Sequence, residues 1–258
     1  MALAGLEERV ITPSTVFECE GEFKIGDRKF LCWSKHGRQN VIDAIKNSCN
    51  VYFYNLGLRL GVDKISQWAK IFGLNKPTGI DLPYEKKGIV PSRSWKLRYK
   101  GKRWWTGDTL NFSIGQGYLE ITPLEAIVAI SVFANGGYIV RPHLLKKVEG
   151  VNLNFQKKKL PVSRENLEIV KKGLIEAVKS GTAHILGGLN LKIAGKTGTA
   201  QNPHGVPHGW FVGFFPYDKP RYSICVFLEN GGSSFNAVVL TYKFLEELKK
   251  EGLISYEE

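Results

Sequence analysis

Lys196-Thr197-Gly198-Thr199-Ala200-Gln201 is the stretch on which the reading of this chain turns. It closes a β-rich run, Leu191 to Ala200, and two more runs follow, Gly209 to Tyr217 and Arg221 to Glu229. Asp218-Lys219-Pro220 joins the last two as a turn, so an antiparallel meander is expected. At the end of a strand, Lys196 supplies a fixed positive charge. The hydroxyls of Thr197 and Thr199 can donate to a carboxylate, and Gly198 leaves room for a substrate backbone along the strand edge. A Lys-Thr-Gly match also arises by chance, so the rest of the chain has to support it.

Upstream the pattern is mostly helical. Asn40 opens a helical stretch with Val41, Ile42, Ile45 and Cys49 on one side, which places Ser48-Cys49-Asn50 on that helix. A hydroxyl and an amide two residues apart can serve one cleft, although Ser and Asn within helices often simply face solvent. Residues 63–72 read as an amphipathic helix stopped by Gly73, and residues 74–121 as loop-rich. Thr122-Pro123-Leu124-Glu125 is a capping box with Pro in the first turn, and Gly136-Gly137 ends that helix. Ser163 opens a helix to about Ser180, and a final helix spans about Ala237 to Lys250. Near the start, Thr15 to Phe23 and Lys29 to Trp33 read as a hairpin around Gly26-Asp27. Helices, then strands, then a helix predict an α+β fold: an antiparallel sheet, mainly residues 191–230, flanked by helices, with a helical subdomain over about 38–135, in a single domain of 1–258.

The chain of 258 residues carries 36 Lys+Arg against 24 Asp+Glu, a net charge of +12. That charge suits nucleic acid, phospholipid headgroups or an acidic polymer. The densest basic stretch, Lys96 to Trp105, reads most simply as a solvated loop beside a Trp-anchored core. Cations between aromatics would also suit single-stranded nucleic acid, yet no helix-turn-helix, zinc-finger, KH or RNP pattern accompanies them. Lys157-Lys158-Lys159 reads as an exposed turn. No run of about 18 apolar residues occurs, and no basic leader precedes Ala2-Leu3-Ala4. Leu3, Leu6 and Val10 recur at helical spacing with no capping residue before them, the pattern of a helix cut through its middle.

Taken together, Ser48-Cys49-Asn50 and Lys196-Thr197-Gly198 fit in order and separation the last two parts of the Ser-x-x-Lys, Ser-Asp-Asn, Lys-Thr-Gly set of serine β-lactamases and penicillin-binding proteins. Thr78-Gly79-Ile80-Asp81-Leu82-Pro83, Gly107-Asp108-Thr109 with Ser113-Ile114-Gly115-Gln116-Gly117-Tyr118, and His208-Gly209-Trp210-Phe211-Val212-Gly213-Phe214 extend the likeness over nearly the whole chain. The sequence resembles class B penicillin-binding proteins of the penicillin-binding protein 2 branch, peptidoglycan D,D-transpeptidases of cell elongation and shape. The resemblance implies a β-lactamase/transpeptidase-like fold. It implies that Ser48 relays a proton to the leaving amine, that Asn50 holds the substrate's amide carbonyl, and that Lys196 keeps the site positive and bonds Ser48. Thr197 and Thr199, on either side of Gly198, would bind the terminal carboxylate of a D-Ala-D-Ala stem peptide or of a β-lactam. The Thr199 N–H would form half of an oxyanion hole. Implied partners are the stem peptide, β-lactams and the lipid-II polymerase of the elongation machinery. The family is anchored in the bacterial inner membrane and works at its periplasmic face. One departure is large: no Ser in the sequence has Lys three residues on. The first motif would fall just upstream of Met1, so the chain alone is expected to be inactive and soluble.

Cys19, Cys32, His36 and Cys49 follow a Cys-x12-Cys-x3-His-x12-Cys spacing. Three thiolates and an imidazole satisfy tetrahedral zinc with no open position. The same residues could instead be buried thiols or include one disulfide. The resemblance favours zinc, because the branch carries metal ligands at matching places. Cys225, between Ile224 and Val226, reads as a core thiol, and His204 and His208 as features of a loop. Two other functions stand beside the leading one: a non-catalytic, zinc-stabilised module that binds peptidoglycan or protein, and a basic nucleic-acid-binding protein.

Overall fold

The computed structural model describes residues 1–152 and 156–254. Helix α1 (Ala2–Glu7) buries every residue from Ala2 to Leu6. Four short strands follow: β1 (Phe17–Cys19), β2 (Glu22–Ile25), β3 (Arg28–Leu31) and β4 (Gly37–Gln39). The expected hairpin is β2–β3, turning at Gly26-Asp27, with Ile25 opposite Arg28. The front of the first predicted run separates from it after Cys19, and β1 pairs antiparallel with β4 instead.

Asn40 caps α2 (Val41–Lys46), its side-chain oxygen accepting from Ile42 N–H at 2.9 Å and Asp43 N–H at 3.0 Å. This helix does not carry the Ser48-Cys49-Asn50 segment, contrary to the sequence-based expectation. It stops at Lys46, Ser48 takes φ 51°, and Cys49 is the N-cap residue of α3 (Asn50–Ile71). Cys49 N–H donates to Ala44 C=O at 3.0 Å, the six-to-one bond that closes a helix after a left-handed residue. Gly or Asn usually occupies that position; here Ser48 does, at a backbone cost that a sharp turn between two packed helices maintains. Helix α3 is kinked at Gly61, whose φ of 73° glycine adopts without the Cβ strain other residues would meet, so the predicted 63–72 helix is its second half.

Residues 74–121 are loop-rich, as expected, and also carry two eight-residue helices. Ser92 caps α4 (Arg93–Lys100), accepting from Trp95 N–H at 3.1 Å, and α5 (Thr106–Ser113) follows. The basic stretch is therefore helical in its first half. Lys96 is not solvated: it is 2% exposed, and its ammonium is bonded to Asp108.

Thr122 caps α6 (Pro123–Ala134), and Glu125 completes the capping box. The Glu125 carboxylate also reaches far beyond its own helix. It is 2% exposed and accepts from Thr122 N–H at 2.8 Å, Asn75 N–H at 2.9 Å and Gly88 N–H at 3.0 Å. Replacing it by Ala would leave three backbone donors without their acceptor. Glu125→Ala is expected to destabilise the fold by about 3–5 kcal/mol, measurable by urea unfolding. A change below about 1 kcal/mol would show that water or a rearranged loop replaces the carboxylate.

Four further short strands follow α6: β5 (Tyr138–Val140), β6 (Lys147–Val148), β7 (Val151–Asn152) and β8 (Lys157–Lys159). β5 pairs with β8 and β6 with β7, so the Lys157–Lys159 run is an exposed strand rather than a turn. Ser163 caps α7 (Arg164–Lys179), and a 3-10 turn spans His184–Leu189. The sheet is β9 (Ala194–Ala200), β10 (His208–Phe215) and β11 (Tyr222–Leu228), antiparallel in the order β11-β10-β9, and α8 (Ser234–Lys250) covers one face. Strand alternation sorts the core. Phe211 and Phe215 pack with Ala237, Val238 and Leu245 of α8, whereas Phe214 joins Leu167, Val170 and Leu174 of α7 in the larger cluster. Lys196 pairs with Val212, and Thr197 with Phe211. The pleat thus turns Lys196 toward the helical part and Thr197 toward α8.

Candidate active site

A cleft of about 1310 Å³ runs between the sheet edge and the helical part. Ser48, Asn50, Lys196, Thr197, Gly198 and Thr199 all line it. The tight turn between α2 and α3 projects Ser48 toward β9, where Lys196 Nζ donates to Ser48 Oγ at 2.7 Å across 148 positions of sequence. The ammonium also reaches Thr197 C=O at 3.1 Å and Thr197 Oγ1 at 3.4 Å. Desolvation by the surrounding protein draws Lys196 down to about 8, so it is still mostly a cation at neutral pH.

The two threonines differ. Thr197 is 7% exposed, and its hydroxyl lies 2.8 Å from the Thr182 hydroxyl. Thr199 Oγ1 accepts from Ser234 N–H at 3.0 Å, which leaves the hydroxyl proton for an anion in the cleft. Asn50 donates from Nδ2 to Leu31 C=O at 3.1 Å, which ties the second motif to the β2–β3 hairpin.

Three residues that sequence reasoning did not single out complete the arrangement. Gln116 spans the cleft: its Nε2 donates to Thr199 C=O at 2.8 Å, and its Oε1 accepts from Gln201 N–H at 3.2 Å. Thr182 and Ser234 support the threonine hydroxyls. Thr182 is brought there by a close approach of two helix ends, where a Cβ on Gly181 would lie 2.3 Å from Lys46 C=O. Position in sequence gives little sign of these contacts, except that Gln116 lies within the glycine-flanked Ser113 to Tyr118 segment.

Cys19, Cys32, His36 and Cys49 converge beside this cleft, and their ligating atoms lie within 4.8 Å of one another. His36 Nδ1 is 3.5 Å from Cys32 Sγ and 3.6 Å from Cys19 Sγ. A tetrahedral zinc with bonds of about 2.3 Å to sulfur and about 2.0 Å to nitrogen separates such atoms by roughly 3.5 Å, so the donor set fits the ion. All four cysteines are free thiols, and Cys19 and Cys49 are fully buried. The hydrogen bond from the Cys49 thiol holds Cys32 below the usual thiol range, and the same bond pushes Cys49 up. Cys32 Sγ also accepts Asn50 N–H at 3.3 Å, so the cluster contributes to the start of α3. Cys225 sits apart on β11, where burial pushes its thiol up to about 11. His208 is the first residue of β10 rather than a loop residue, and its Nδ1 accepts from Asn230 N–H at 2.9 Å.

The family model described as the penicillin binding protein transpeptidase domain matches residues 1–245. The chain is 35% identical over 265 residues to peptidoglycan D,D-transpeptidase MrdA of Acinetobacter baumannii, covering 93% of this chain and 39% of that protein. Against the Escherichia coli K12 protein of the same name it is 30% identical over 276 residues, covering 96% and 44%. Among solved structures, penicillin-binding protein PBP2 of Helicobacter pylori in complex with MreC has a TM-score of 0.87 at 33% identity, covering 98% of this chain and 48% of that one. Pseudomonas aeruginosa PBP2 in complex with WCK 5153 has a TM-score of 0.84 at 33% identity, covering 94% and 56%. The chain spans less than half the length of these curated relatives.

Proposed function

Because the chain belongs to the penicillin-binding protein transpeptidase family, we propose that its cleft holds the D-Ala-D-Ala end of a peptidoglycan stem peptide during D,D-transpeptidation. The carrying observation is the 2.7 Å bond from Lys196 Nζ to Ser48 Oγ, beside the hydroxyl-bearing strand. The cation and the Thr199 hydroxyl receive the terminal carboxylate, with Thr197 shaping the strand beneath it. Asn50 orients the amide carbonyl. In the acyl transfer, an ester bond to a serine forms as the peptide C–N bond breaks. Ser48, polarised by Lys196, passes a proton to the departing D-Ala amine. Thr199 N–H donates to the oxygen on which negative charge develops. A β-lactam enters the same cleft by the same carboxylate recognition.

The thiol–imidazole cluster is assigned to structural zinc, held by Cys19, Cys32, His36 and Cys49. The role in elongation and shape, the lipid-II polymerase partner and the periplasmic face of the inner membrane are carried over from the family. Two similar structures bear on partners: one holds PBP2 with MreC, and the other, a peptidoglycan synthase complex that coordinates polymerization and crosslinking, supports the polymerase reading. Among the described residues, no helix is long and apolar enough to cross a membrane.

No serine in the chain has lysine three residues on, so the 258 residues are expected to bind a β-lactam without becoming acylated. With a fluorescent penicillin, polarisation should rise in solution, and no label should survive denaturing electrophoresis. A surviving, hydrolysable label would contradict the acylation expectation. Absence of any polarisation change would contradict the cleft assignment itself.

A further inference from the structure

Eight cations and no carboxylate fall between Lys86 and Gly107, a run that accounts for much of the net charge of +12. Two of these cations are paired, Arg93 with Asp63 and Lys96 with Asp108. Among the described residues, Arg98, Lys100, Lys102 and Arg103 have no carboxylate within ion-pair distance. They are instead interleaved with rings. Arg103 stacks on Trp105 at 4.1 Å, Arg98 lies 5.6 Å from the Tyr99 ring, and Lys100 lies 5.9 Å from Trp95. Trp105 is 53% exposed and Tyr99 is 62% exposed.

This belt does not stand alone on the surface. Trp105 forms one wall of a groove of about 180 Å³, together with Gly107 and Asn111 of α5 and with Ile25, Arg28 and Phe30 of the β2–β3 hairpin. Phe30 and Asn111 also line the main cleft, so the groove continues it away from Lys196. The floor is closed where the hairpin meets the helix: a Cβ on Gly107 would lie 3.2 Å from Phe30 Cζ. Arg28 is exposed at the rim. Asp108, the one carboxylate in the wall, is already neutralised by Lys96.

We propose that this groove, with the Arg98 to Trp105 belt beside it, binds the carboxylate-bearing glycan–peptide strand that leads away from the reacting peptide end. Apolar sugar faces stack on Trp105, and acidic groups of the strand meet Arg28, Lys100 and Arg103. Continuity with the cleft selects this occupant over a lipid surface, because a bilayer cannot follow a groove into a peptide site. The proposal rests on the reading that the cleft holds the D-Ala-D-Ala terminus.

Calorimetric titration of the 258-residue chain tests it with two ligands, a short N-acyl-D-Ala-D-Ala peptide and a soluble disaccharide-pentapeptide. The larger ligand is expected to bind about tenfold more tightly at low salt, and the advantage should shrink as salt rises. W105A and the double variant K100E/R103E should each remove that advantage and leave the affinity of the short peptide unchanged, with circular dichroism confirming the fold. Equal affinities of the two ligands for the wild-type chain, or variants that retain the advantage, would overturn the proposal. Phosphatidylglycerol vesicles form the third arm: binding to vesicles that K100E/R103E abolishes, with the larger ligand unaffected, would also overturn it. If the short peptide fails to bind while the larger ligand binds through Trp105 and Arg103, the groove stands and the cleft reading falls.

Discussion

On the proposed zinc assignment, chelation at the Cys19, Cys32, His36 and Cys49 cluster is expected to lower the thermal unfolding midpoint by roughly 10 °C or more. The cluster joins four segments that are otherwise held by short ladders and a few side-chain bonds. Cys19 ends β1, Cys32 follows β3, His36 precedes β4, and Cys49 starts α3. The strands it joins are three or four residues long, too short to persist on ladder hydrogen bonds alone. Structural zinc contributes on the order of 10 kcal/mol in small peptides, and a domain of this size shifts by roughly 2–4 °C per kcal/mol. Even a third of that contribution produces the stated change. Without the ion, buried thiols and an imidazole remain crowded together, with His36 Nε2 already lacking a partner. Calorimetry before and after chelation, with metal analysis of protein purified without chelator, checks this. An unchanged midpoint together with far less than one zinc per chain would refute the zinc assignment. Readdition of zinc should restore the midpoint.

Lys196→Ala is expected to weaken binding of a D-Ala-D-Ala carboxylate by about a hundredfold, or roughly 3 kcal/mol, because it removes the enclosed cation that meets the anion. It also leaves Ser48 Oγ without its donor. The pH dependence has a definite sign. Lys196 is drawn down to about 8 by burial, so it is charged below that pH and neutral above it. The ligand carboxylate is ionised throughout this range. Affinity should therefore be highest below about pH 8 and fall as pH rises through it. Lys196→Arg should flatten the profile, since guanidinium keeps its proton. A profile that is flat in the wild-type chain would remove Lys196 from carboxylate recognition.

Local chemistry makes several elements legible in the sequence. Asn40, Thr122 and Ser163 each cap the helix that the sequence assigned to them. The sheet was legible because Asp218-Lys219-Pro220 separates two alternating runs that pair as neighbours. What escaped was set by partners distant in sequence. Nothing near Ser48 announces a left-handed residue, because Gly or Asn usually marks that position. β1 chooses β4 over the adjacent hairpin through pairing of three residues, a signal too short to read locally. Lys96 looks solvent-bound until Asp108 meets it across 12 positions, and Gln116 acquires its place from a strand 83 positions away. At the site, the residue types in both motifs pointed to the cleft, but the unequal surroundings of Thr197 and Thr199 required the register of β9 against β10.

We propose that the Lys196 to Thr199 strand reads a terminal carboxylate. The most direct test compares an N-acyl-D-Ala-D-Ala peptide with the same peptide amidated at its C-terminus, each titrated calorimetrically into the 258-residue chain at neutral pH. The free acid is predicted to bind measurably and the amide at least about tenfold more weakly, since only the acid offers the anion that Lys196 and Thr199 are placed to receive. Equal affinities for acid and amide would contradict the claim.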